Sequence, residues 1–170
     1  MNIFIKSLIY LFIFIILHFG YELTQWSFLT PFCGINESVF QHLKMAFWAY
    51  LFTSGIEYLV IIKKKRAQNF WYPRLLSTVI VPWFTFILWY IAPALFGRIG
   101  SLILDLIWAV SITYGAALIA GIMEKVTEKS QVTVDFKIGV WILIIVSAFL
   151  YIWFTYRLPW IDLFINPEVL

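Results

Sequence analysis

The two histidines of the chain, His18 and His42, each stand close to carboxylates at the edge of a long apolar run. His18 and Glu22 are four residues apart, one turn above the other on one helix face. Asn36, Glu37 and Ser38 lead into the run that carries His42 and Lys44, and Asp105 stands near the start of a later one. Ionisable groups inside apolar spans are costly and raise a functional question by default. Imidazole together with carboxylate suits zinc, iron or manganese, so His18, Glu22, His42 and Asp105 form a candidate divalent-metal set. An ion held there would activate water for hydrolysis. The same groups, with Asn36 and Glu37, also suit a proton relay or the binding of a small ligand or lipid head group.

A structural reading stands beside each of these. Ser38-Val39-Phe40-Gln41 matches the capping box that starts a helix, and Lys44 is expected to extend its aliphatic stem outward. Glu57 follows His42 by fifteen residues, ~22 Å along a helix, and two readings stay open for it: a structural ion pair with an inner-face basic residue, or a second functional site. It is therefore left out of the main set. The run Lys63-Lys64-Lys65-Arg66 reads as an anchor against anionic head groups. Cys33 is the only cysteine, which excludes an internal disulfide or a multi-cysteine metal site. Nothing marks it as an activated thiolate. No His-Glu-x-x-His, phosphate-binding Gly-rich loop or Gly-x-Ser-x-Gly pattern occurs.

The elements that position these residues follow from composition. Of 170 residues 63% are hydrophobic and 12% charged, about half the charge of a soluble domain, and the mean hydropathy is +0.92. Lipid is the natural solvent for such a chain. A bilayer core of ~30 Å takes about 20 apolar residues in helical form, and five segments qualify: 3–25, 39–62, 75–93, 101–123 and 138–156. The expected fold is an all-α bundle of five transmembrane helices forming one integral membrane domain over 1–170. The first segment reads as a retained helix, since no small-x-small cleavage site follows it. The basic residues lack the aromatic-basic stripe of a nucleic-acid binder.

Orientation follows from charge. With the N-terminus cytoplasmic, Lys6, Lys63, Lys64, Lys65, Arg66, Arg74, Lys125, Lys129 and Lys137 fall inside, leaving only Lys44, Arg98 and Arg157 on the other side. The protein is thus expected in the plasma membrane with an extracellular C-terminus, and His18, Glu22, Asn36, Glu37, His42 and Asp105 in the outer half. Trp71, Tyr72 and Trp141 would mark the inner interface, and Trp26, Trp89, Tyr90, Tyr156 and Trp160 the outer one. Pro82 should kink the third helix. Ser111, Gly115, Ala116, Ala117, Ala120 and Gly121 give the fourth helix small-xxx-small spacings, marking it as the expected central helix.

The stretch Pro31-Phe32-Cys33-Gly34-Ile35-Asn36-Glu37-Ser38-Val39-Phe40-Gln41-His42-Leu43-Lys44 resembles the signature of a family of small bacterial multi-pass membrane proteins, a domain of unknown function with an Asn-Glu-Ser-x-x-x-His-Leu-Lys core. His18 to Glu22 is similar to its His-x-x-x-Glu, Glu57 to its glutamate late in helix two, and Tyr90 through Gly97 to Asp105 to its Tyr…Gly…Asp stretch. Leu158 to Pro167 resembles a closing Pro-Leu-Phe-x-Asp-Pro element. Phe40 and Gln41 stand where the pattern has Trp and Glu, and Asn166 where it has Asp, so no extra carboxylate is required there. The resemblance implies site residues without naming a reaction. Three functions stay open: a ligand-, lipid- or ion-binding membrane protein, an intramembrane metal-dependent hydrolase, and a structural or transporter-associated subunit.

Overall fold

The computed structural model describes residues 1–61, 69–97 and 99–166. Among the described residues the chain is all helical, without a strand. It has five long helices: α1 (Ile3–Thr24), α2 (Val39–Ile61), α3 (Trp71–Phe96), α4 (Leu102–Thr127) and α5 (Val134–Tyr156). Four of them, α1, α3, α4 and α5, are long and apolar enough to cross a membrane. α2 is as long but more polar, because it carries Gln41, His42, Lys44, Thr53, Ser54 and Glu57.

Burial accounts for that difference. Met45 through Tyr50 are consecutive and none is more than 8% exposed. A helix covered on every side is enclosed by protein, so this stretch of α2 is enclosed where it packs between α1 and α3, whereas Phe52, Ile56, Leu59 and Val60 farther along are exposed. The expectation that α4 would be central is corrected: α4 buries one stripe, including Ala116, Ala117, Ala120, Gly121 and Glu124. Its small residues still serve close packing. A Cβ on Gly121 would lie 2.7 Å from Ile3 Cγ2, so glycine lets α1 pass near.

Several helices run past the spans read from hydropathy, because polar turns continue them beyond the apolar slab. α3 starts at Trp71 with Pro73 in its first turn, where a missing N–H leaves no helix bond unmade. α5 starts at Val134, capped by the Thr133 side chain, which accepts from Phe136 N–H at 3.3 Å. α3 runs through both Pro82 and Pro93. Pro93 has no N–H for the Trp89 carbonyl, and that carbonyl accepts instead from the Trp108 indole of α4 at 3.1 Å. The lost helix bond becomes an interhelical one.

Lys44 departs from the outward course expected of it. It is fully buried, and its Nζ donates to the Thr30 carbonyl at 2.7 Å and to Thr155 Oγ1 at 3.2 Å. Those two acceptors tie the α1–α2 connection and α5 to α2, which a water-facing ammonium would not do. Phe164, in the short helix Asp162–Phe164 after α5, packs on Phe40 with ring centroids 4.6 Å apart. The Lys63-Lys64-Lys65-Arg66 run, Arg98 and Pro167 lie outside the described residues.

Candidate functional site

The connection between α1 and α2 decides which side chains meet. α1 ends at Thr24, with Gln25 left-handed (φ 55°) and its N–H on the Tyr21 carbonyl at 2.8 Å. The chain then doubles back, and Gly34 N–H donates to the Leu17 carbonyl at 3.1 Å. A Cβ on Gly34 would lie 2.8 Å from Met45 Sδ, so glycine fits the tight space between loop and α2. The fold-back carries Glu37 to the imidazole of His18.

His18 Nε2 lies 3.6 Å and His42 Nε2 3.5 Å from the same oxygen, Glu37 Oε2. The two imidazole rings meet edge to face at 5.3 Å, and one ligand atom from each of the three residues lies within 4.8 Å of the others. Tetrahedral zinc, with bonds of 2.0–2.2 Å, separates its ligands by about 3.3–3.5 Å. The two His–Glu37 distances nearly match that spacing, and the widest separation in the group must contract by up to about 1.5 Å to do so. His42 Nδ1 lies 3.0 Å from the Ser38 carbonyl. A carbonyl only accepts, so Nδ1 carries the proton and donates, and in the neutral ring Nε2 presents a lone pair. The side chains stay partly open, at 24% for His18, 39% for His42 and 42% for Glu37. The His18 imidazole holds the Glu37 carboxyl below the ordinary carboxylate range, burial opposing it.

Asn36 supports this arrangement from behind. Its Oδ1 accepts from Ser38 N–H at 3.0 Å. That bond also explains why the capping box does not form. The Gln41 side chain would have taken the same N–H, and instead both its amide atoms and Ser38 Oγ are buried without a partner among the described residues. Of the four residues expected to bind a metal, His18 and His42 come together. Glu22 and Asp105 lie outside the group: Glu22 is exposed in the last turn of α1, and Asp105 is half-buried in the first turn of α4. Glu37 takes the carboxylate position because the loop folds back onto α1. Cys33 is 2% exposed and burial pushes its thiol up, which fits no nucleophile.

A second polar cluster lies at the other end of the bundle. Lys6 of α1 pairs with Glu57 of α2 at 3.0 Å and, closer still, with Glu124 of α4. Arg74 of α3 holds Glu57, bonds the Phe70 carbonyl at 2.7 Å, and lies 3.4 Å from Glu128. Tyr50 donates to Glu124 Oε1 at 2.8 Å. Lys6, Glu57, Arg74 and Glu124 are each at most 4% exposed. Glu57 thus makes an ion pair with inner-end basic residues, the first of its two open readings, and Glu124, one residue past the span read from hydropathy, joins it. The signal available was matched depth: two buried cations on α1 and α3 need two carboxylates at their own level.

The family model described as "Family of unknown function (DUF6512)" matches residues 2–168. No curated protein and no solved structure matches the chain.

Proposed function

We propose that this chain, which belongs to the DUF6512 family, is an integral membrane protein that holds a divalent transition-metal ion between His18, Glu37 and His42. One observation carries the reading: the lone pair of His42 Nε2 that faces Glu37 Oε2. While His42 Nδ1 donates to Ser38, His42 Nε2 has no proton to offer, and a carboxylate only accepts. Two electron-rich atoms held 3.5 Å apart favour a cation between them. The bond from Nδ1 to a backbone carbonyl is also the outer-shell contact that metal-ligating histidines usually make.

Topology supports an outward-facing site in the plasma membrane. Among the described residues, Lys6, Arg74, Lys125, Lys129 and Lys137 gather at the end away from the histidines, and only Lys44 and Arg157 lie at the histidine end. Under the positive-inside rule the first end is cytoplasmic, with the N-terminus inside and the C-terminus outside.

A second reading, hydrolysis, is favoured by the open side of the group. Two histidines and one carboxylate leave a fourth position on zinc for water, whose pKa the metal lowers toward 7. Elemental analysis of protein purified in mild detergent tests the primary reading. About one zinc-class ion per chain is expected, lost in His42→Ala. Unchanged metal content in both His18→Ala and His42→Ala would overturn it and leave a structural subunit.

A further inference from the structure

α5 meets α2 along only part of its length. Near the histidine end the rings of Phe47 and Tyr151 are 5.0 Å apart, Phe40 and Phe154 6.3 Å, and Lys44 bonds to Thr155. Toward the other end, α2, α3 and α5 leave between them an apolar groove of about 460 Å³, lined by Leu51, Trp71, Leu75, Trp141, Ile144 and Ala148. One turn of α5 beyond its lining stands a cation. Lys137 precedes Trp141 by one turn of α5, and its Nζ sits 5.3 Å from the centre of the Tyr72 ring on α3. No carboxylate pairs with it among the described residues. Trp71, Tyr72 and Trp141 are the amphipathic rings that settle at head-group level.

We propose that this groove holds one acyl chain of an anionic phospholipid, with its phosphate against Lys137. A helix from a second copy fits poorly. An α-helix 10–12 Å across fills roughly 420–610 Å³ per 5.4 Å turn, so the groove admits about a single turn. A flexible chain lies along it without that limit, and the unpaired ammonium complements a phosphodiester. The site is independent of the metal group, which lies at the opposite end of the bundle.

Native mass spectrometry of the full chain in detergent, titrated with palmitoyl-oleoyl phosphatidylglycerol or the matching phosphatidylcholine, tests this. The wild type is expected to retain one phosphatidylglycerol about fivefold more than phosphatidylcholine, the preference one basic residue gives near an anionic lipid. Lys137→Gln should bring the ratio to about one. Ala148→Trp, which fills the groove, should release both lipids with helical content unchanged. Equal retention of the two lipids by the wild type overturns the proposal, as does lipid kept by Ala148→Trp or a dimer that this variant splits. Should Ala148→Trp fail to fold, Lys137→Gln decides alone, since it lies beyond the lining; a preserved preference then overturns the proposal.

Discussion

The guanidinium of Arg74 grips the Glu57 carboxylate with two parallel hydrogen bonds, 2.9 Å from Nε to Oε2 and 3.1 Å from Nη2 to Oε1. Such a fork fixes direction as well as distance, and so sets the register of α3 against α2. Lys6 on the other side of Glu57 extends that register to α1, and Glu124 extends it to α4. Desolvation offsets much of the attraction in any buried pair. The network therefore acts mainly by making every alternative packing leave a charge uncompensated.

Removing one member should consequently cost far more than removing a matched pair. Glu57→Ala removes the carboxylate that Arg74 forks and that Lys6 shares with Glu124, and is expected to lower stability by about 3–5 kcal/mol in chemical unfolding followed in detergent. Glu57→Met combined with Arg74→Met should recover part of that loss, because Lys6 keeps Glu124. A double variant less stable than the single one would contradict this account.

At the opposite end the three proposed ligands should matter and their neighbours should not. His18→Ala, His42→Ala and Glu37→Gln are each expected to weaken zinc binding by more than the roughly 10–100-fold that loss of an outer partner costs. Glu22→Gln and Asp105→Asn should bind as the wild type does, since neither belongs to the group. Isothermal titration of chelator-treated protein distinguishes the two sets. Loss of binding in Asp105→Asn would restore the four-residue set that spacing alone suggested.

That contrast marks where the sequence stops being informative. Four of the five helices are legible because lipid imposes a length and a polarity on every span it surrounds. The common depth of His18 and His42 is legible from counting along their helices. The choice of Glu37 over Glu22 is not, because it depends on the Gly34 N–H reaching back to Leu17, a tertiary contact without periodicity. Glu124 escaped for another reason: hydropathy ends the fourth span at 123, while the helix continues one more turn to Thr127 and turns that residue inward. The enclosed first half of α2 was readable after all. Its polar load points to a helix shielded from lipid more directly than the small residues of α4 do.

Cys33 offers a pH test away from the proposed metal ligands. Burial raises its thiol above the ordinary value of 9.0, and nearby Lys44 only partly opposes this. The folded state thus favours the protonated thiol. That contribution is whole below the unfolded value and is lost as pH rises through the folded one. Thermal midpoints are expected to fall above about pH 9, more steeply in the wild type than in Cys33→Ala. Maleimide should label Cys33 slowly at pH 8 and rapidly once the chain is unfolded. Equal slopes for the two proteins would show that the thiol titrates as it does in water.

Asn36 touches none of the three ligand atoms, yet its side chain holds the Ser38 N–H and thereby the turn on which Glu37 stands. The carboxylate is 42% exposed, so packing alone does not fix it, and the turn does. Asn36→Ala should weaken zinc binding by about 10–100-fold, as removal of an orienting partner does elsewhere. Asn36→Asp keeps an acceptor at the same place and should bind nearly as the wild type. Because Asn36 acts only by placing Glu37, Asn36→Ala should add nothing further in a Glu37→Gln background. Additive losses in the double variant would mean that Asn36 reaches the ion by a route other than the turn.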